Sequence, residues 1–304
     1  MLCKKCLAVF MLAAILTGCS GTPEERQESA VDTGGPGIDT GEAEIISEAE
    51  NHGEETPVIY SFVDVYGESY EAVLKEEVPA NVYEYSRIRE IGGYKYYTDE
   101  TGNPVSRLGI DVSRYQSEAD WRAVKEAGID FVMIRCGFRG YGESGVLKED
   151  ERFQTHLAGA REAGLDVGVY FFSQAVTEEE AVEEAEFVLT LLEGQEVSGP
   201  VVYDTEEIRD DTARTDFLTP AQITDHAVAF CERIRRAGYK PMIYANMKWL
   251  VFSMEYERLS DYEIWYADYE PVPQSPYRIR MWQYTEEGRV PGIEGNVDLN
   301  VWFP

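Results

Sequence analysis

From about residue 107 onward, the chain alternates between amphipathic helical stretches and short apolar runs. Apolar residues repeat at the three- and four-residue spacing that one face of a helix requires. Thr219 and Pro220 precede the second of these stretches as an N-cap and a first helical residue. The two clearest stripes are Ala181, Ala185, Val188, Leu192 and Ile223, Ala227, Phe230, Ile234.

Three of the predicted helices end in an Ala-Gly pair that is followed almost at once by an apolar run. The glycines are Gly128, Gly164 and Gly238, which lie 36 and 74 residues apart, or about one and two units of one period. Glycine after a helix and an apolar strand within two residues are typical of β/α units in a parallel sheet.

Eight strands are predicted, the first five with a crossover helix and the last three with little room for one. This pattern predicts an α/β fold, a modified TIM-like β/α barrel with five β/α units followed by three strands. An open, doubly wound sheet is the alternative. The predicted strands are 108–112, 131–135, 167–172, 201–204, 242–245, 263–267, 279–284 and 297–299.

The first 19 residues have the pattern of an export signal. Lys4 and Lys5 precede an apolar run, residues 7–16, that is short for a bilayer span. The run ends in Leu-Thr-Gly-Cys19, which looks like the lipobox of bacterial lipoproteins, in which the cysteine is lipidated. We therefore expect an exported protein held at the outer face of the bacterial cytoplasmic membrane through Cys19. An ordinary signal peptide or an uncleaved anchor is the alternative.

Two further segments precede the barrel. Residues 20–57 contain eleven acidic residues, one basic residue, Arg26, and no apolar period. This composition predicts a disordered acidic tether. Residues 58–106 contain alternating aromatic stretches and turn signals, which predict a small β-rich prefix. The predicted barrel domain is 107–304.

Composition excludes several classes of function. With 27 basic against 57 acidic residues and a net charge of −30, the chain is a poor partner for nucleic acid. Its three histidines are far apart and have no cysteine neighbours, so we expect no metal and no cofactor. Cys136 and Cys231 lie in the predicted barrel. The sequence allows either a disulfide between them or two separate buried thiols.

Acidic residues mark the ends of several apolar strands, which in β/α barrels form the working face. They are Asp111, Asp204, Glu206 and Asp298. Asp204 and Glu206 are two residues apart, so in a strand they share a face at about 6–7 Å. Like charges this close raise one pKa, which suits the acid of a glycosidase.

Aromatic residues near the strand ends are candidates to line a groove for sugar rings. The glycine-rich stretch 137–142 does not have the spacing of a phosphate-binding loop and is expected over the groove. Asp268 is a weaker acidic candidate. The aromatic candidates are Tyr170, Phe172, Tyr203, Tyr244, Trp265, Tyr266, Trp282 and Tyr284.

Taken together, these stretches resemble glycoside hydrolase family 25, the Chalaropsis-type lysozymes or N-acetylmuramidases. The resemblance covers about residues 107–304 and excludes the prefix and the tether. The matching runs are 109–116 (GIDVSRYQ), 120–121 (DW), 131–135 (FVMIR), 168–173 (GVYFFS), 202–206 (VYDTE), 262–267 (YEIWYA), 282–284 (WQY) and 297–300 (VDLN).

The resemblance implies a metal-independent barrel enzyme that cleaves the β-1,4 bond between N-acetylmuramic acid and N-acetylglucosamine in peptidoglycan. It implies that Glu206 is the general acid and that Asp204 assists the 2-acetamido group of the substrate. Asp111 and Asp298 match the other active-site acids of the family. Arg135 and Gln283, within the matched runs, join the candidate substrate-binding residues.

Two questions stay open at this level. The attacking group is either the substrate acetamide or a water activated by Asp111 or Asp298. The alternative function is a catalytically inactive lipoprotein that binds cell-wall glycan. We expect a monomer whose partners are peptidoglycan glycan strands and, through the lipid on Cys19, the membrane.

Overall fold

The computed structural model describes residues 56–209 and 211–304. The strands are β1 (Ile59–Val63), β2 (Ser69–Val73), β3 (Ile88–Ile91), β4 (Tyr94–Tyr97), β5 (Arg107–Val112), β6 (Phe131–Arg139), β7 (Leu147–Glu149), β8 (Asp166–Phe172), β9 (Val201–Asp204), β10 (Pro241–Asn246), β11 (Glu263–Ala267), β12 (Met281–Gly288) and β13 (Val297–Trp302). The α-helices are α1 (Trp121–Glu126), α2 (Phe153–Glu162), α3 (Glu178–Leu191) and α4 (Pro220–Arg236). The predicted signal peptide, Cys19 and almost all of the predicted tether lie outside the described residues.

Within the described ranges, eight strands close into a barrel in the order β5, β6, β8, β9, β10, β11, β12, β13 and back to β5. Neighbours are parallel from β5 to β12, whereas β13 runs antiparallel to both β12 and β5. The short β7 pairs with the outer part of β6. The predicted α/β barrel is confirmed, and the open sheet is excluded.

The helical connections differ from the predicted pattern in one place. α1, α2, α3 and α4 follow the first four barrel strands, as predicted. The connection from β10 to β11 instead contains a π-helix, Trp249–Ser253, and a 3₁₀ helix, Tyr256–Leu259. The fifth unit is therefore shorter than a regular β/α unit. None of the helices in the described residues is both long and apolar enough to cross a membrane.

Local signals explain where the helices begin and end. Thr219 caps α4 with a reciprocal pair of hydrogen bonds to Gln222, and Pro220 occupies its first position. Gly128, Gly164 and Gly238 have φ of +92°, +73° and +92°, a backbone region that glycine adopts readily. These glycines reverse the chain so that the next barrel strand can begin.

Side chains along each barrel strand point alternately inward and outward, so the barrel has an inner and an outer core. One buried cluster fills the interior, with Phe131, Met133, Val202 and Met242 near its base. The residues between them face the helices and form a larger outer cluster. Gly109 is required by this packing, because a Cβ there would lie 2.3 Å from the Phe131 ring. Apolar side chains thus fill the barrel interior at its base, and polar side chains occupy the opposite end.

The prefix packs directly on the barrel. The side chain of Gln274 binds both backbone groups of Val63 on β1: its Oε1 accepts from the Val63 N–H at 2.8 Å, and its Nε2 donates to the Val63 carbonyl at 2.9 Å. Ala80 forms a β-bridge with Tyr277, and the Lys95 ammonium lies 4.7 Å from the centre of the Trp282 ring. The prefix and the barrel together form one compact unit.

Candidate active site

The four acids of the sequence analysis meet at one end of the barrel. Asp111 lies near the end of β5, Asp204 ends β9, and Glu206 follows two residues later. Asp298 lies at the start of β13, which reaches the same end because β13 runs in the opposite direction. They border a cleft of about 170 Å³ lined by Asp111, Tyr170, Asp204, Glu206, Tyr244, Trp265, Tyr269, Gln283, Glu286 and Asp298.

Asp111 is buried and held by two amide side chains. Asn300 Nδ2 and Gln283 Nε2 donate to Asp111 Oδ2 at 2.8 and 3.0 Å. Both amides are themselves oriented by aromatic donors. Trp265 Nε1 donates to Asn300 Oδ1 at 2.8 Å, and the Tyr244 hydroxyl donates to Gln283 Oε1 at 2.9 Å. This network fixes Asp111 and favours its ionised form.

Asp111 and Asp298 form a hydrogen-bonded pair of carboxyl groups. Burial raises the pKa of both, and the charge of Asp111 raises the pKa of Asp298 further. The amide donors lower the pKa of Asp111 and have no counterpart on Asp298. The pair therefore holds one proton, which resides on Asp298 and is donated to Asp111.

Asp204 and Glu206 form the second carboxyl pair. Asp204 is 4% exposed, whereas Glu206 is partly exposed at the cleft surface. Burial raises the pKa of both, and the nearby charge of Glu206 raises that of Asp204 further. The positive charge of Arg135 acts on both in the opposite direction. The hydrogen bond between these two carboxyls raises the pKa of Asp204 and lowers that of Glu206, so the proton they share lies on Asp204 when no substrate is bound, whereas Glu206 is the member that solvent or a ligand can reach.

The cleft continues into a larger groove on the Arg135 side. A cavity of about 670 Å³ begins at Asp204 and Glu206 and extends under the glycine-rich loop. Arg135 Nε donates to the buried Asp150 at 2.7 Å, which fixes the guanidinium beside the acids. The other lining residues include Arg114, Tyr115, Phe138, Tyr141, Gly142 and Phe172. The predicted position of the glycine-rich loop over a groove is confirmed.

A third cavity, of about 430 Å³, also borders Glu206. Glu207, Arg209 and Phe252 line it with Glu206. Lys248 Nζ donates to Glu207 at 3.0 Å, so Glu207 points away from the acid cluster. Glu206 borders all three cavities, so together they form a groove along this carboxyl group.

Six of the predicted binding residues lie on this groove. Tyr170, Tyr244, Trp265 and Gln283 line the acid cleft, and Tyr170 continues into the Arg135 cavity. Arg135 and Phe172 line that cavity.

Four other predicted binding residues do not lie on the groove, and the prediction for them was wrong in its geometry. Tyr203 faces the helices and packs against Phe230, with ring centres 5.2 Å apart and the rings tilted by 53°. Tyr266 and Trp282 are almost fully buried outside the barrel wall. Strand alternation is the reason, because each follows or precedes an inward-facing residue.

Asp268, the fourth of these residues, supports the loop after β11. It accepts hydrogen bonds from the Tyr266 hydroxyl at 2.9 Å and the Gln274 backbone at 2.8 Å. Its backbone carbonyl also accepts from Trp282 Nε1 at 2.6 Å. Asp268 is thus part of the scaffold. Tyr284 likewise packs outside, beneath Lys95.

The structure adds groove residues that the sequence reasoning missed. Tyr269 and Glu286 line the acid cleft, and the Tyr269 hydroxyl donates to Gln283 Oε1 at 3.1 Å. Tyr269 follows β11 at the productive end of the strand, a position that could have identified it. Within residues 56–209 and 211–304, no cluster of three or more His, Cys, Asp or Glu side chains is arranged to hold a metal ion. Cys136 and Cys231 are free buried thiols there.

Residues 110–293 match the profile of the glycosyl hydrolases family 25, which covers more than half of the chain. The chain belongs to glycosyl hydrolase family 25. The matched range begins one residue before Asp111 and includes Asp204 and Glu206, whereas Asp298 lies five residues beyond its end.

Two proteins of similar sequence and one of similar structure illustrate the relatives of this family 25 member. It is 28% identical over 198 residues to the Escherichia coli protein YegX, covering 64% of this chain and 68% of that protein. It is 24% identical over 193 residues to the autolytic lysozyme of Clostridium acetobutylicum, covering 63% and 54%. The modular autolysin LytC of Streptococcus pneumoniae, solved with a synthetic peptidoglycan ligand, has a similar fold. Its TM-score is 0.59 at 22% identity, over 80% of this chain and 56% of LytC.

Proposed function

We propose that this family 25 protein is a peptidoglycan hydrolase, a lysozyme that cleaves the β-1,4 bond between N-acetylmuramic acid and N-acetylglucosamine. The observation that carries the proposal is the proton-sharing pair of Asp204 and Glu206 at the centre of an open, aromatic-lined groove. A glycosidase needs a carboxyl group that keeps its proton near neutral pH and can reach the glycosidic oxygen.

Glu206 is the general acid of this proposal. It is the partly exposed member of its pair, and burial raises its pKa. The hydrogen bond within the pair favours the proton on Asp204, so we propose that it passes to Glu206 when the substrate N–H approaches Asp204, which leaves Asp204 as the carboxylate. Glu206 then donates the proton to the departing sugar oxygen as the glycosidic bond breaks.

Asp204 accepts the N–H of the substrate 2-acetamido group, and the acetamide oxygen attacks the anomeric carbon. Water then opens the resulting oxazoline ring. The state of the opposite carboxyl pair favours this course over direct attack by water. Asp111 already accepts two amide hydrogens and the proton of Asp298, so it has little capacity to act as a base. Asp298 is protonated and cannot act as a base either.

The groove fits an extended polysaccharide in chemical character. Aromatic rings and arginine side chains line the two larger cavities that border Glu206, and Gln283 adds an amide group in the acid cleft. Sugar rings offer matching apolar faces and hydroxyl edges. The clostridial relative is named an autolytic lysozyme, and LytC was solved with a peptidoglycan ligand. Both support the choice of peptidoglycan as substrate.

The test is product analysis of purified peptidoglycan after incubation with the protein. Mass spectrometry should find N-acetylmuramic acid at the new reducing ends, and Glu206→Gln should release no new ends above background. New reducing ends on N-acetylglucosamine would contradict the bond assignment. Binding to walls without cleavage by the unaltered protein would favour the inactive glycan-binding alternative. A first-formed product of inverted configuration would exclude the acetamide course.

We also propose that the protein is exported and anchored to the outer face of the cytoplasmic membrane by a lipid on Cys19. The support is the lipobox-like stretch and the acidic segment that follows it. Labelling of cells with a fatty-acid analogue should mark the protein and should not mark Cys19→Ala. Equal labelling of both proteins would overturn the anchor.

A further inference from the structure

The hairpin formed by β1 and β2 lies before the residues that match family 25, and it reaches the mouth of the barrel. Its turn, residues 64–68, contains Val65, which packs against the inner barrel cluster that includes Tyr244 and Trp265. Those two side chains line the acid cleft. A segment about 140 residues before Glu206 in sequence therefore forms part of the rim of the catalytic groove.

The turn is held in a defined shape. Asp64 Oδ1 accepts from the backbone N–H groups of Tyr66 and Glu68, both at 2.9 Å. Gly67 has a φ of +85°, which lets the chain reverse directly after Tyr66. Tyr66 is thus presented on a short, fixed turn and remains 47% exposed.

The hairpin is also tied to the wall of the third cavity. Phe62 is buried and lies 6.3 Å from Phe252, measured between ring centres, and Phe252 lines that cavity. Tyr70, on β2, lies 5.9 Å from the same ring. These contacts fix the turn relative to Glu206.

Arg209 joins Tyr66 to the groove. Its guanidinium lies 4.0 Å from the centre of the Tyr66 ring and 3.7 Å from Glu68. Arg209 lines the third cavity together with Glu206. After burial, the charge of Glu206 is the next largest cause that raises the pKa of the Tyr66 hydroxyl, so this hydroxyl faces the field of the proposed acid.

We propose that Tyr66 and Arg209 form an additional saccharide subsite, in which the exposed tyrosine ring supports a sugar of the glycan chain beside Glu206. This inference rests on the proposed function. The Arg209 guanidinium covers one face of this exposed ring, so the pyranose packs against the other face. The guanidinium, only loosely paired with Glu68, supplies donors for the sugar hydroxyls at its edge.

The proposed subsite predicts which bonds of a glycan strand the enzyme prefers to cleave. A bound chain that reaches from the Arg135 cavity to the Tyr66–Arg209 pair passes Glu206, because Glu206 borders both the Arg135 cavity and the cavity lined by Arg209. The enzyme should therefore prefer a bond inside a glycan strand to a bond at its end. The prefix is thus part of the recognition surface.

The test measures binding of a β-1,4-linked oligosaccharide of eight alternating N-acetylglucosamine and N-acetylmuramic acid residues. Binding is measured by calorimetry in the full-length Glu206→Gln protein, so that turnover does not interfere. Adding Tyr66→Ala or Tyr66→Leu should raise Kd roughly 3- to 10-fold, and adding Tyr66→Phe should change it less than twofold. In the active protein, Tyr66→Leu should raise KM with little change in kcat. The matched control is Val73→Ala, an exposed position at the far end of the same hairpin, which should leave Kd unchanged.

Leucine keeps the bulk of the side chain without a flat ring, so Tyr66→Leu distinguishes sugar stacking from a packing role. Unchanged binding in both Tyr66→Ala and Tyr66→Leu would overturn the subsite. If Tyr66→Ala does not fold, Tyr66→Leu and Arg209→Met decide the question. Failure of the unaltered protein to cleave the octasaccharide would instead count against the proposed function.

Discussion

Asp298 lies directly opposite Asp111 across the antiparallel pair of β13 and β5. Two carboxyl groups at paired strand positions are close enough to share a proton, and Asp111 is buried while Asp298 is half-buried. The arrangement costs stability when both groups are ionised, since neither has a cationic partner in the pair. Active sites commonly hold such strain because the chemistry requires the charge.

Replacement of Asp298 by asparagine should stabilise the fold at alkaline pH. The pKa of Asp298 is raised in the folded state, so its contribution to stability is complete below the unfolded pKa and is lost as pH rises. Asparagine still donates to Asp111 and does not titrate. We expect the free energy of unfolding at pH 8 to rise by about 1–3 kcal/mol, measured by urea denaturation. Asp261→Asn, at an exposed position, is the control, and an equal change in both variants would contradict the prediction.

The pH profile of hydrolysis should respond to Glu286, an exposed acid on the rim of the cleft. Burial raises the pKa of Glu206, and the charge of Glu286 raises it further. The rate should fall as pH rises through this pKa, because the acid must be protonated to act. Glu286→Gln should therefore move the alkaline limb of the profile to lower pH by roughly 0.2–0.5 units at low salt. The adjacent Glu287→Gln should leave the limb unmoved. If the alkaline limb lies at the same pH in both variants, the charge of Glu286 does not affect the pKa of the general acid.

A buried ion pair behind the glycine-rich loop should make stability depend on pH. Arg139 Nε donates to Glu184 at 2.8 Å, and Ser173 donates to the same carboxylate at 2.6 Å. Burial raises the pKa of Glu184 to about 7. Its contribution to stability is complete below the unfolded value and is lost as pH rises from about 4.5 through 7.

The comparison that isolates this group is Glu184→Gln against Glu183→Gln. Both residues contact Arg139, but Glu183 is exposed. Unfolding free energies measured from pH 4.5 to 8 should fall by about 3 kcal/mol more in the unaltered protein than in Glu184→Gln. Glu183→Gln should keep the pH dependence of the unaltered protein. Parallel curves for all three proteins would show that Glu184 does not titrate differently on unfolding.

Lys95 should contribute to the attachment of the prefix. Its ammonium donates to the carbonyl of Pro271 at 2.8 Å and lies over the rings of Trp282 and Tyr284. Lys95→Ala removes the hydrogen bond and the cation–π contacts together. We expect a loss of about 1–2 kcal/mol in the free energy of unfolding. Lys125→Ala, at an exposed helical position, should change it by less than about 0.5 kcal/mol. Limited proteolysis should also cut the prefix of Lys95→Ala faster.

The sequence predicted most of the barrel because its signals are local. Glycines with positive φ, a capped α4 and continuous apolar runs are each decided by neighbouring residues. The predicted strands 201–204 and 263–267 coincide with β9 and β11. The five-residue π-helix after β10 was not predictable from periodicity, since its stretch is too short to show a helical period.

The aromatic residues show where the sequence reasoning failed. Once Asp204 faces inward, its neighbour Tyr203 must face outward, and the same rule separates Trp265 from Tyr266 and Gln283 from Trp282. Proximity to a strand end was therefore insufficient, and the parity of each position was decisive. The contact of Val65 with the barrel interior had no sequence signal, because every residue of the cluster it packs against follows more than 60 residues later.

The closing role of β13 has a practical consequence for anyone who trims this chain to its conserved part. A fragment ending at residue 293 would lack β13, and with it Asp298 and Asn300. The facing edges of β5 and β12 would then be unpaired, and such bare edges readily bind other chains. The expected product is an aggregating fragment, although every residue of the Asp204–Glu206 pair would still be present.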